Sequence, residues 1–221
     1  MKNVFFKTVE EFRETQSAKL LIITALREIV PSSQNWFSAL LSIILAAVVA
    51  FKVGFAPETV DLTSKICGRL IEIQLAIFGC VFAVYSILLA FLSDGYMKRL
   101  AKVPDKDKTS FLKRSITYYE SVLFLFFINI GLSGVLLIIM DILPPDARLT
   151  SNLLLDSLMA SVGLLLYYAF SFRVFYEVKS TIYNTIVLFR ASIAYRFLDF
   201  AIEESEVEDD SETEEIEKQG E

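Results

Sequence analysis

The chain has 221 residues, 54% of them hydrophobic, with a mean hydropathy of +0.52 and a formal net charge of −6. So much apolar content exceeds what one water-soluble domain of this size needs to fill a core, and it points to a bilayer as the main solvent. Histidine is absent, which removes the commonest metal ligand and the usual neutral-pH proton carrier, so neither a metal nor a cofactor is expected.

Residues 1–35 form a first segment. Phe5, Val9, Phe12, Leu20, Ile23 and Leu26 recur near helical spacing, and Pro31-Ser32-Ser33 breaks the pattern. This predicts an amphipathic N-terminal helix ahead of the membrane. No short apolar stretch followed by a small-residue cleavage site is seen, so the first span is expected to be retained as an anchor.

Four apolar runs follow: Trp36 to Phe55, Leu70 to Leu92, Ser121 to Leu143 and Leu153 to Tyr176. A hydrocarbon core of roughly 30 Å needs about 20 helical residues, and each run is long enough. The fold class read from this pattern is all-α, a four-helix transmembrane bundle over 36–176. Cys67 and Cys80 fall on one predicted helix thirteen residues apart, too far for a disulfide, and are read as packing residues.

Charge in the connections orients the bundle. Lys98, Arg99, Lys102, Lys106, Lys108, Lys113 and Arg114 lie between spans two and three, against Arg148 alone between spans three and four. The basic loop is therefore expected in the cytoplasm, with both termini on the same side. Trp36, Tyr96, Tyr118, Tyr119 and Tyr176 fall at that inner boundary, where amphipathic rings favour the headgroup level.

Polar residues inside or beside the spans are the candidates for chemistry. Asn129, with Ser133 one turn on, is the deepest strongly polar position; the pair either faces a pore or hydrogen-bonds a neighbouring helix. Lys52, Glu72, Asp141 and Asp156, with Arg69, lie near the outer ends. They read either as interfacial ion pairs or as an acidic outer mouth for cations with Lys52 as a neutralising partner. Small residues predict close helix contacts: Ser42, Ala46, Ala47 and Ala50 on span one, Gly131 and Gly134 on span three, and Ser157, Ala160, Ser161 and Gly163 on span four. Phe78, Phe82, Phe124, Phe126 and Phe127 are read as lipid-facing or core side chains.

Beyond span four, no Pro or Gly interrupts the chain from Leu164 to Ser205. The stripe Phe175, Val178, Ile182, Ile186, Phe189, Ile193, Phe197, Phe200 advances by three or four residues at each step. Span four is thus predicted to continue as a cytoplasmic helix over 177–204, its apolar face covered by the N-terminal helix, another subunit, a partner or the membrane surface. Glu203 to Glu221 hold eleven acids against Lys218, a local charge of −10 that leaves +4 on the rest of the chain. Residues 205–221 are expected to be a disordered acidic tail that repels nucleic acid.

No Walker loop, dinucleotide turn, paired-cysteine motif or histidine-based nucleophile is present, so an enzyme is not expected. The four spans, the run Gly79-Cys80-Val81-Phe82-Ala83-Val84-Tyr85-Ser86-Ile87-Leu88, the basic loop and the long helix after span four resemble small four-span membrane proteins of bacterial phage-defence systems, among them the Kiwa membrane subunit. That resemblance implies a bacterial inner-membrane sensor or scaffold, a homo-oligomer or the partner of a cytoplasmic effector protein. An oligomeric gated ion channel is the alternative.

Overall fold

The computed structural model describes residues 18–30, 36–91, 111–145, 147 and 150–219. They form five helices: α1 (Ala18–Ile29), α2 (Trp36–Gly54), α3 (Thr59–Phe91), α4 (Phe111–Ile142) and α5 (Leu153–Gln219). Among the described residues there is no strand. The all-α prediction holds, and α2 to α5 are each long and apolar enough to cross a membrane. Large apolar side chains such as Ile43, Phe82, Ile138 and Leu166 point outward from all four. Water would not tolerate that surface, whereas acyl chains match it. The chain is a multi-pass membrane protein.

The most extensive packing joins α2 to α5 and α3 to α4, with α1 laid on α4. One pair joins helices adjacent in sequence and the other joins the first and last spans. The α2–α5 seam explains itself in residue sizes. Ser38, Ser42, Ala46, Ala50 and Gly54 recur every fourth position on α2 and all are buried. Ser42 donates to its own Ser38 carbonyl at 2.8 Å and Ser161 on α5 to Ser157 at 2.7 Å, so each serine satisfies its hydroxyl within its helix and packs as a small residue. A Cβ built on Gly54 would lie 2.1 Å from Ser161 Oγ and 2.9 Å from Ser161 Cα, which makes this the point where the two backbones nearly touch. The predicted strip on span one is thus real and extends to Ser38 and Gly54. Gly131, Gly134 and Gly163 behave otherwise: nothing lies within 4 Å of their Cβ positions, so they make no close contact within the chain.

Tight connections close one end of the bundle. Between α2 and α3, Thr59 Oγ1 donates to the carbonyls of Ala56 at 2.7 Å and Val53 at 3.1 Å, quenching groups that a helix end leaves open. Between α4 and α5, Pro144 and Pro145 stop the one helix, and Asn152 Oδ1 accepts from the Leu154 amide at 3.1 Å to start the other. This is the hairpin end. From the opposite, projecting end α5 runs on as a single helix of 67 residues, about 100 Å at 1.5 Å per residue.

α5 runs to Gln219, through most of the segment expected to be a disordered tail; glutamate has high helix propensity, and no Pro or Gly occurs before Gly220. Two expectations are corrected in detail. In α1 the buried side is Ala25, with Ile29 packed beside it, whereas Ile23 and Leu26 of the predicted stripe are exposed; Phe5, Val9 and Phe12 lie outside the described residues. Cys67 is a buried core residue as expected, but Cys80 is exposed on the apolar surface of α3; both are free.

Candidate functional site

The interior is divided into two apolar clusters by a polar layer. Toward the hairpin end, Ala46, Ala50, Cys67, Leu70, Leu164 and Tyr168 pack together; toward the projecting end, Ala25, Val81, Val122, Phe126 and Val174 do so. Between them in register lie Gln74 on α3, Asn129 and Ser133 on α4, and Tyr167 and Ser171 on α5. Ser133 Oγ sits 2.8 Å from the Tyr167 hydroxyl and 3.2 Å from Gln74 Nε2, and Ser171 Oγ donates to Asn129 Oδ1 at 2.9 Å. Gln74, Asn129, Ser133 and Ser171 have no solvent-accessible surface. Of the two readings that the sequence leaves open for Asn129 and Ser133, the geometry matches helix bridging: within one chain both side chains join α4 to its neighbours. Asn129 Nδ2 and the Tyr168 hydroxyl are buried there without a hydrogen-bond partner among the described residues.

About 20 residues along α5 from Leu153, one bilayer thickness, stands a second buried polar group. Arg173 and Glu177, 3% and 4% exposed, form an ion pair one turn apart through Nη1 and Oε1. Arg173 Nε also donates to the Ile29 carbonyl of α1 at 3.2 Å, and the Tyr118 hydroxyl of α4 donates to Glu177 Oε2 at 3.4 Å. Three helices therefore meet on one pair of charges, and the guanidinium sits at the negative end of the α1 dipole. Farther out, Tyr119 and Thr185 hydroxyls lie 2.8 Å apart, and Tyr85 donates to Glu120 at 3.2 Å to tie α3 to α4.

The other sequence-predicted groups separate. At the hairpin end Asp141 accepts from Ser64 at 2.7 Å, Glu72 pairs with Arg69 at 2.9 Å, and Asp156 accepts from the Thr150 amide at 3.3 Å. Lys52 is exposed near the end of α2. Among the described residues no three acids or cysteines come together as a metal cluster. The apolar stripe of α5 splits in two: Phe175 and Val178 pack into the cluster at the projecting end, while Ile182, Ile186, Ile193, Phe197 and Phe200 are exposed, and Phe189 is half-buried.

Sequence reasoning missed Gln74, Tyr167, Ser171 and the Arg173–Glu177 pair as interior groups. Two signals pointed to them: polar residues four apart on α5 (Tyr167 with Ser171, Arg173 with Glu177), and a lone Gln inside an apolar run. No family model matches the chain, and neither a curated protein nor a solved structure is found to be similar to it.

Proposed function

We propose that this chain is an integral membrane sensor or scaffold that assembles through the projecting part of α5 with further copies of itself or with a cytoplasmic effector protein. The observation that carries this reading is the continuity of α5. One helix contributes Tyr167 and Ser171 to the polar layer, Arg173 and Glu177 to the buried ion pair, and then an exposed apolar stripe followed by an acidic segment. A shift of α5 against α4 in the bilayer would break discrete hydrogen bonds at one end and move a binding face at the other, which is what a two-state transmitter requires. The basic loop at 98–114 supports a cytoplasmic projecting end. The resemblance noted above supports a bacterial inner membrane and an antiviral setting, and the acidic segment suits an effector with a basic face.

The test is to replace Ile186 and Ile193 with Asp in the full-length chain, expressed in cells and purified in mild detergent with whatever it binds. Charge on the stripe should leave insertion and helicity unchanged while lowering the mass of the recovered assembly. Recovery of an assembly of unaltered mass would refute the proposal.

A further inference from the structure

Toward the hairpin end, α3, α4 and α5 together line a half-enclosed groove of about 380 Å³. Its floor is buried, formed by Thr63, Leu164 and Tyr167; its flanks, including Val135 and Ile139 of α4 and Met159 of α5, are exposed. We propose that this groove is a binding site for one acyl chain of a bilayer phospholipid. The inference is independent of what α5 assembles with.

Size, chemistry and position select the occupant. On α4 the lining runs from Leu132 to Met140, about 12 Å along the helix, long enough for a stretch of extended hydrocarbon chain. The lining carries no charge, and its hydroxyls are engaged: Thr59 with Ala56 and Val53, Thr63 with the Thr59 carbonyl at 2.7 Å, and Tyr167 with Ser133. A guest that needs hydrogen bonds finds none on offer. The flanks are continuous with the outward apolar surface of α4 and α5, so the groove opens where acyl chains already are. Gly163, with nothing within 4 Å of its Cβ, keeps the space clear, and an unfilled space there would forfeit dispersion contacts along both helices. Met140 and Met159 flank it with flexible, polarizable side chains that mould to a guest of variable shape.

The experiment uses the full chain in phosphatidylcholine nanodiscs doped with a phosphatidylcholine that carries a diazirine partway along one acyl chain. After irradiation, adducts are mapped by peptide mass spectrometry. Ile139 and Met159 should be labelled several-fold more than Ile138, which lies on α4 outside the groove lining, or Phe51 on α2, both of them exposed. Gly163→Leu should fill the groove and lower that labelling several-fold, while Gly131→Leu, equally open but outside the groove, should not. Equal labelling of Met159 and Ile138 in the unmodified chain would overturn the proposal even if Gly163→Leu failed to fold. Disulfide formation between copies bearing Met159→Cys would give the groove to a second copy and overturn it as well.

Discussion

Two single positions carry consequences that their residue types alone do not announce. Gly54 faces the Ser161 backbone so closely that a methyl group has no room, and backbone atoms, unlike a side-chain tip, cannot rotate aside. Gly54→Ala should therefore cost about 1–3 kcal/mol by forcing α2 off α5. Gly134→Ala, where the Cβ meets nothing, should be neutral or stabilise by up to about 1 kcal/mol through helix propensity. Unfolding in mixed micelles with increasing dodecyl sulfate separates the two; equal effects would mean that the seam is not where the backbones meet. The Arg173–Glu177 pair obeys a different rule. Removing one partner strands a buried charge, so Arg173→Met should cost about 3–5 kcal/mol. Adding Glu177→Leu should recover most of that loss, leaving about 1–2 kcal/mol for the Ile29 carbonyl deprived of its donor and the Tyr118 hydroxyl of its Glu177 acceptor. If the same denaturation assay finds the double variant as unstable as the single one, the cost lies in packing and not in charge.

At the scale of elements, α5 combines a packed half with a projecting half. From Ser161 to Thr181 it buries Leu164, Tyr168, Ser171, Val174 and Glu177, whereas Ile193, Phe197 and Phe200 are exposed. Helix stability comes mostly from packing, so hydrogen exchange should be slow from 161 to 181 and approach the rate of an unprotected chain from 201 to 219 in the isolated protein. Equal protection along the whole of α5 would show that the acidic end is held by something. This contrast also sets how much was legible in the sequence. The starts of α2 and α5 were readable to the residue, because apolar runs begin abruptly at Trp36 and Leu153. The starts of α3 and α4 were placed about ten residues late: hydropathy sees only the apolar window, while i, i+4 pairs such as Asp61 with Lys65 extend the helix into polar sequence. Ser42, Ala46 and Ala50 were found by size and spacing. Gln74 and Tyr167 were not, because which helices meet is set by tertiary pairing, and α2 joins α5 rather than α3.

At the scale of the whole molecule, two helix pairs are held in register by a buried polar layer, and that arrangement bears on whether it conducts. A pore needs polar groups that face water along a continuous path. Here Asn129, Ser133, Gln74 and Ser171 have no accessible surface and connect α4 with α3 and α5, so in one chain they close the interior instead of lining it. The acids of the hairpin end make separate local bonds, Asp141 with Ser64 and Glu72 with Arg69, and do not converge on one axis within the chain. Conduction would then require several copies to build a path between them out of surfaces that are apolar across the spans. The purified chain in a planar bilayer should accordingly give no steady, selective current, and Asn129→Ala with Ser133→Ala should lower stability by about 0.5–2 kcal/mol without opening one. Reproducible single-channel currents, with cation selectivity that falls when Glu72, Asp141 or Asp156 is neutralised, would replace the scaffold by an oligomeric channel with its mouth at the hairpin end.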